Sequence, residues 1–169
     1  DNDRFYLLTF SDNIMKFNYE LRSASLANDA LAWIDSQSAA GSTDINRAWL
    51  EAMAIADKER PTYLIFLTDG LPTAGVVATE KILNNVEDAS PNNVRLFAFG
   101  VGYDVDTYLL DTLSQNHHGL STYVKPGEPI DEILSAFYAK ISTPVLTNLN
   151  LDFGDISTFD IYPDPLPDL

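Results

Sequence analysis

The chain is an acidic sequence of 169 residues, 46% of them hydrophobic, which is enough for one folded domain with a sizeable core. Its net charge of −15 disfavours nucleic acid as a partner, because phosphate contacts need clustered Lys and Arg. The absence of cysteine excludes disulfides, thiolate zinc sites and cysteine nucleophiles. No apolar run approaches the roughly 20 residues that a membrane span needs. The acidic excess suits simple solubility, or else divalent cations and basic partners.

A hairpin and two helices are predicted in the first part of the chain. The hairpin is centred on a Ser11-Asp12-Asn13 turn, and both helices carry an apolar stripe at helical spacing. We expect Trp33 and Trp49, which lie on these stripes, to be core residues. In chain order, the predicted elements are strands over residues 5–10 and 14–17 and helices over about residues 26–36 and 45–56.

The most informative segment is the apolar run from Tyr63 that ends on Thr68-Asp69-Gly70. An unbroken apolar run is typical of a strand buried on both faces, as in parallel sheets. In open α/β sheets, ligands bind at the carboxyl ends of the strands, so Asp69 is a candidate site residue. The alternative is that Asp69-Gly70 is an ordinary turn.

The second part of the chain alternates helices with strands. Asp106 is a predicted helix N-cap, Gly119 is predicted to follow a helix C-cap, and Pro144 is predicted to end the last helix. This alternation predicts βαβ units and a mostly parallel sheet. The predicted elements are helices around residues 82–86, 106–117 and 130–141 and strands over residues 94–100 and 121–124.

After the last helix the pattern changes to a period of two. Leu149, Leu151 and Phe153 alternate with polar residues, and three prolines then punctuate the end of the chain. We therefore predict two parts. Residues 1–143 form an α/β domain, and residues 144–169 form an extended tail or the start of a following β-rich module.

Two side chains provide hard oxygen donors near the predicted sheet edge. Thr43 lies in the segment Gly41-Ser-Thr-Asp-Ile45 that opens a helix, and Asp69 ends the central strand. A Thr hydroxyl and an Asp carboxylate suit Mg²⁺ or Ca²⁺. Taken without this context, Thr43 is also a suitable helix N-cap.

Four motifs follow one another in a recognisable order: residues 5–10 with Ser11, Gly41-Ser-Thr-Asp-Ile45, Leu64-Ile-Phe-Leu-Thr-Asp-Gly70 and Phe97-Ala-Phe-Gly-Val-Gly102. Together they resemble the von Willebrand factor type A (VWA) domain family. Within that family, Phe99-Gly-Val-Gly-Tyr-Asp104 followed by Tyr108-Leu-Leu110 resembles the inter-α-trypsin inhibitor heavy-chain branch. The resemblance covers about residues 3–143 well and the tail more loosely.

The resemblance implies a three-layer, doubly wound, mostly parallel α/β sheet with a metal-ion-dependent adhesion site on its upper edge. A bound Mg²⁺, or a similar ion such as Ca²⁺ or Mn²⁺, completes its coordination there with an acidic group from a partner protein. Thr43 matches the family's loop Thr, and Asp69 matches its strand Asp. The implied function is a non-enzymatic protein-interaction or adhesion module, outside the cell or on its surface.

One part of the family pattern, the Asp-x-Ser-x-Ser of the first strand, occurs nowhere in this sequence. The chain opens on Asp1-Asn2-Asp3, at what resembles the family's second strand, and we expect a processed or excised piece that lacks the first strand and helix. Mg²⁺ demands near-octahedral oxygen coordination, and Thr43 and Asp69 alone leave most positions to water. We therefore expect an incomplete site with weak or absent metal binding. Asp12 lies near a loop but matches no family site position.

The expected loss of the first strand has a consequence for the sheet, because the resemblance implies the family's strand order 3-2-1-4-5-6, in which that strand lies between residues 5–10 and 63–68. Buried unpaired amides cost on the order of 1–3 kcal/mol each, and open edges invite pairing with another chain. Three outcomes remain open: direct pairing of the two strands, insertion of the alternating tail over residues 146–153, or a homo-oligomer formed through strand edges. We favour direct closure or pairing between chains.

Other signals do not complete an enzyme motif. Neighbouring histidines such as His117-His118 point apart on a helix, and a helix end is their simpler role. Gly100-Val-Gly102 lacks the third glycine of a dinucleotide loop, and Ser11-Asp12 lacks a Gly-x-Ser-x-Gly elbow. The alternatives to an interaction module are an inert scaffold fragment of a larger secreted or surface protein, and a doubly wound nucleotide-dependent enzyme.

Overall fold

The computed structural model of the protein describes residues 3–39, 41–142, 151–157 and 159. The chain divides into two compact units, the first from Asp1–Arg60 with Leu71–Pro91 and the second from Pro61–Gly70 with Asn92–Leu169. The predicted boundary between residues 143 and 144, and most of the predicted tail, lie outside the described residues. In the described part, no helix is long and apolar enough to cross a membrane.

Short strands and three α-helices make up the described part of the first unit. Its strands pair in two antiparallel ladders, β1 with β4 and β2 with β3, and the second ladder confirms the predicted hairpin. The elements are β1 (Arg4–Phe5), β2 (Leu8–Phe10), β3 (Ile14–Lys16), β4 (Arg22–Ser23), a 3₁₀ turn (Ala24–Leu26), α1 (Ala27–Asp35), α2 (Ile45–Ile55) and α3 (Thr79–Ala89).

The strand predicted over residues 5–10 is divided into β1 and β2, and a buried asparagine accounts for the break. Asn18 is 7% exposed, and its side-chain oxygen accepts a hydrogen bond from the Leu7 amide at 3.0 Å. Its side-chain nitrogen donates to the Phe5 carbonyl at 2.9 Å. A side-chain amide thus takes the main-chain bonds that a neighbouring strand would otherwise take.

Helices α2 and α3 form the apolar core of the first unit. Trp49 on α2 is 0% exposed, as predicted, and Ile82 and Val86 on α3 are equally buried. The Asn85 side chain donates to the Asn46 side-chain oxygen at 2.9 Å and ties the two helices together. Trp33 on α1 is only half-buried, so the prediction of a core position there is wrong.

The second unit contains a parallel sheet in the order β5-β6-β7. Leu67 on the first of these strands lies beside Phe99 on the middle one, and every residue from Val94 to Gly100 is buried. This sheet with its helices confirms the predicted α/β class. The elements are β5 (Thr62–Thr68), β6 (Val94–Val101), α4 (Thr107–Asn116), β7 (Ser121–Val124) and α5 (Ile130–Ile141).

The end of α4 corrects the prediction for Gly119. His118, with a φ of 54°, takes the left-handed position after the C-cap, and the Gly119 amide donates to the Ser114 carbonyl at 2.9 Å. Gly119 is needed for a different reason, since a Cβ there would lie 1.7 Å from the Leu96 carbonyl oxygen. The glycine allows the chain to cross close to β6.

The pairing of strands β2 and β5 tests the three outcomes that the sequence left open for the sheet. Among the described residues, β2 is paired with β3 alone and β5 with β6 alone, so the direct strand closure that we favoured is not observed. The described tail over residues 151–157 contains no strand. The remainder of the tail proposed to fill the gap, residues 146–150, lies outside the described part. Pairing between two chains stays a prediction.

Candidate metal-site loops

Thr43 is held by its main chain on both sides. Its amide donates to the Thr73 side-chain oxygen at 2.9 Å, and its carbonyl accepts from the Thr73 amide at 2.9 Å and the Ala74 amide at 3.2 Å. Thr43 itself is half-buried. Because the bonds lie on either side of the Thr43 Cα, they restrain the main chain at Thr43 and with it the direction of its Cα–Cβ bond.

Asp44, not Thr43, caps helix α2. Its carboxylate accepts from the Arg47 amide at 3.0 Å, which is the bond expected of an N-cap residue. Its own amide donates to the Ser11 carbonyl at 2.8 Å and ties the helix start to the β2–β3 turn. The alternative role of Thr43 as N-cap is therefore wrong, and capping places no demand on its hydroxyl.

The β2–β3 turn packs against the loop that carries Thr43. The Asp12 carboxylate accepts from the Ser11 hydroxyl at 3.0 Å and from the Asn13 side-chain nitrogen at 3.3 Å. A Cβ on Gly41 would lie 2.5 Å from an Asp12 carboxylate oxygen. Asp12 is thus a second acidic group beside this loop. The contact joins turns about 30 residues apart in the chain, so no local pattern in the sequence announced it.

Asp69 belongs to the second unit and follows β5 directly. Thr68 is 6% exposed, and its hydroxyl donates to the Gly70 carbonyl at 3.2 Å. This bond turns the chain at the strand end, and the Asp69 side chain is exposed. The position at the carboxyl end of a parallel strand is as predicted. Whether Asp69 is a ligand stays a prediction.

The donor atoms fit a hard cation in kind but not in number. Thr43 and Asp69 supply a hydroxyl and a carboxylate, the oxygen ligands that Mg²⁺, Ca²⁺ and Mn²⁺ prefer. In the part of the chain that the structure describes, no group of three or more His, Asp or Glu side chains is placed to hold a metal ion. Most of an octahedral shell is therefore left to water or to other residues.

The histidine pair lies at the end of α4. His117 is 6% exposed, and its Nδ1 atom lies 2.8 Å from the Leu113 carbonyl oxygen one turn back. This contact joins the ring to a carbonyl at the helix C-terminus, where an imidazole is a favourable partner. The role of a helix end, which the sequence predicted as the simpler one, agrees with this geometry.

The family of this chain is established by its similarity to known proteins. The von Willebrand factor type A domain family matches residues 1–135, and the chain belongs to that family. Inter-alpha-trypsin inhibitor heavy chain H2 of Homo sapiens is 31% identical over 170 residues, covering 94% of this chain and 18% of its own length. Heavy chain H6 of Homo sapiens is 32% identical over 167 residues, covering 90% and 13%. The chain thus spans less than a fifth of these relatives.

Solved structures show the same fold. A von Willebrand factor type A protein from Catenulispora acidiphila aligns with a TM-score of 0.71 at 17% identity, covering 81% of this chain and 33% of that one. Proximal thread matrix protein 1 from the mussel byssus, with a zinc-occupied MIDAS motif, aligns with a TM-score of 0.59 at 23% identity, covering 79% and 33%. At these identities the likeness concerns the fold alone.

Proposed function

We propose that this chain is a non-enzymatic protein-interaction module whose Thr43 and Asp69 are ligands of an incomplete metal-ion-dependent adhesion site. The observation that carries the proposal is the double main-chain anchoring of Thr43, whose hydroxyl is not taken by the α2 cap. This anchoring fixes the main chain from which the Thr43 side chain projects, and the N-cap role that could have engaged its hydroxyl belongs to Asp44. Membership of the VWA family supports the same assignment.

The proposed chemistry divides the roles of the two residues. The Thr43 hydroxyl is a direct ligand for a divalent cation, and the exposed Asp69 carboxylate holds the ion through water. The ion, Mg²⁺, Ca²⁺ or Mn²⁺, supplies a positive centre that an acidic group of a protein partner can complete. The chain's formal charge of −15 favours cations, but the site has few protein ligands. We therefore expect the dissociation constant to lie in the weak range of extracellular cation sites, about 10⁻⁴–10⁻³ M.

An extracellular or cell-surface location is part of this proposal. Its support is the similarity to inter-alpha-trypsin inhibitor heavy chains. The second candidate is an inert scaffold fragment. The absence of Asp-x-Ser-x-Ser from the sequence favours it, since that motif supplies the family's remaining protein ligands.

Calorimetric titration of Mg²⁺, Mn²⁺ and Ca²⁺ into the chain separates the two candidates. We expect weak saturable binding that Asp69→Ala removes. Asp88→Ala is the matched control, because Asp88 is also an exposed aspartate and lies on α3. Loss of binding in both variants would indicate condensation of ions on the acidic surface. No saturable binding to the unmodified chain would favour the scaffold fragment.

A further inference from the structure

Three tyrosines are exposed together in the second unit, around the loop that joins β6 to α4. Tyr103 in this loop is 79% exposed, Tyr108 on α4 is 58% exposed and Tyr123 on β7 is 37% exposed. Large side chains scattered singly over a surface are ordinary, whereas several in one place mark an interaction site. We call these three residues the tyrosine patch.

Contacts within the second unit bring the members of the tyrosine patch together. The amide just before Tyr103 donates to the carbonyl just after Tyr123 at 2.8 Å. The Tyr123 hydroxyl lies 3.1 Å from the carbonyl oxygen just before Tyr108. A Cβ on Gly100 would lie 2.8 Å from the Tyr123 ring, so this ring rests on the main chain of β6. The patch is therefore held by regular structure, and a preformed surface loses less entropy when it binds.

The tyrosine patch lies in an acidic part of the chain. Residues 96–124 contain three acidic residues and no Lys or Arg. The next cation along the chain, Lys125, is followed by Glu128, whose carboxylate accepts from the Lys125 amide at 2.8 Å. The patch therefore attracts cationic groups. The three acidic residues are Asp104, Asp106 and Asp111.

Tyr19 in the first unit shows what the tyrosine patch lacks. It is also 79% exposed, but the Lys16 Nζ atom lies 6.0 Å from the centroid of its ring. The neighbouring acid, Glu20, forms an ion pair with Arg22 at 3.0 Å. The chain thus supplies cations to Tyr19 and to the acid beside it. Among the described residues, no cation lies over the equally exposed Tyr103 ring.

We propose that the tyrosine patch binds an arginine-bearing segment of a protein partner, whose guanidinium groups stack on Tyr103 and Tyr108 and pair with the Asp104 carboxylate. Arginine fits better than lysine, because its planar group stacks on aromatic rings and pairs with a carboxylate through two hydrogen bonds. Tyrosine and arginine are also enriched at protein interfaces. The inference rests on the proposed role as an interaction module but involves neither Thr43, Asp69 nor a metal ion.

Calorimetric titration of a hexa-arginine peptide into the chain, with EDTA present and at physiological ionic strength, tests the inference. Tyr103→Ala and Tyr108→Ala should each weaken binding about 2- to 5-fold, the effect of one cation–π contact. Tyr103→Phe keeps the ring and should retain the affinity. Tyr19→Ala is the matched control, because Tyr19 is as exposed as Tyr103 but has its own cation, and it should leave the affinity unchanged. Thermal unfolding checks that each variant is folded.

Two further comparisons separate this site from a general attraction of cations to an acidic chain. Asp104→Asn and Asp88→Asn each remove one charge from an exposed aspartate, and only Asp104→Asn should weaken binding, by about 1.5- to 5-fold. A hexa-lysine peptide should bind less tightly than hexa-arginine, because a hydrated ammonium group cannot stack or pair as a guanidinium group does.

The results divide clearly. Hexa-arginine binding that persists in EDTA and in Asp69→Ala would support the inference even where no metal ion binds, so the cation titration judges the proposed metal site separately. Absence of hexa-arginine binding, or equal affinities for the two peptides, would overturn the inference. Equal losses in Tyr103→Ala and Tyr19→Ala, or in Asp104→Asn and Asp88→Asn, would also overturn it, because the attraction would then be spread over the whole surface.

Discussion

Two neighbouring strands of the parallel sheet have similar apolar sequences but differ in burial. On β6, Phe97 and Phe99 are 4% and 1% exposed, and the Phe137 ring of α5 covers them with centroid distances of 4.8 and 5.1 Å. On β5, the residues beside them in the ladder, Ile65 and Leu67, are 42% and 39% exposed. Among the described residues, helix α5 therefore covers this face of β6, whereas the same face of β5 is largely exposed.

This difference shows what an apolar run can and cannot predict. The run over residues 63–68 predicted burial on both faces, and that prediction holds for Phe66 and Thr68 but not for Ile65 and Leu67. Alternate residues of a strand point to opposite faces, so one face of β5 is packed and the other is open among the described residues. An apolar composition indicates a strand; its surroundings decide how much of it is buried.

The largest effect that tests this contrast comes from truncating matched residues on the two strands. We expect Phe99→Ala to lower the free energy of unfolding by about 3–5 kcal/mol, because it removes a buried ring from a packed core. Leu67→Ala, at the neighbouring ladder position, should cost only about 1 kcal/mol, because much of its side chain already contacts water. Urea unfolding of both variants measures the difference. Equal costs would show that β5 is as well covered as β6.

A smaller effect is expected where the chain crosses β6. Gly119→Ala places a Cβ against the Leu96 carbonyl oxygen, and we expect a loss of about 1–3 kcal/mol from the forced main-chain shift. His118→Asn serves as the control, because asparagine also tolerates the left-handed conformation that His118 adopts. Guanidinium unfolding should show little change for His118→Asn. A stable Gly119→Ala protein would mean that β6 is less tightly enclosed than its burial indicates.

The smallest effect concerns β7, the other neighbour of β6. The Tyr123 hydroxyl lies 2.6 Å from an Asp111 carboxylate oxygen and 3.1 Å from the Thr107 carbonyl oxygen. Partial desolvation, reinforced by the hydrogen bond to Asp111, raises the pKa of Tyr123 above its ordinary value, although the residue is 37% exposed. Tyr123→Phe should cost about 0.5–1.5 kcal/mol at neutral pH, the contribution of one hydrogen bond.

The raised pKa of Tyr123 also predicts a pH dependence. A group whose pKa is higher in the folded state contributes stability that is complete below its unfolded pKa, about 10 for tyrosine, and is lost as the pH rises further. The stability advantage of the unmodified chain over Tyr123→Phe should therefore shrink above pH 10 or so. Urea unfolding at several pH values measures it. A constant difference across this range would contradict the assignment.

The sequence predicted the elements of the chain better than the contacts between them. The hairpin, the parallel strands and the Asp106 cap, whose carboxylate accepts from the Leu109 amide at 3.0 Å, follow from local signals and are confirmed. The break that Asn18 makes in the first strand and the crossing of Gly119 over Leu96 depend on residues distant in the chain. Periodicity and capping rules cannot detect such contacts.

The candidate site shows the same limit. Thr43 and Asp69 were found because they match a family pattern, and Asp69 also because it ends an apolar strand. Thr73 was missed, because it is an ordinary threonine in a Leu-Pro-Thr loop and its importance comes from a bond to a residue 30 positions earlier. Asp44 was overlooked as the α2 cap, since Ser, Thr and Asp are all good N-caps and only geometry selects among adjacent ones.

The most direct test of the central claim, that Thr43 and Asp69 serve one ion, is paramagnetic broadening of the amide NMR signals by Mn²⁺. The account predicts that signals around Thr43 and around Asp69 lose intensity together at the same low Mn²⁺ concentration, while that of Asp88 on α3 persists. Asp69→Asn should abolish the broadening at Thr43. Broadening at Asp69 and other exposed carboxylates with the Thr43 signal unaffected would contradict the claim.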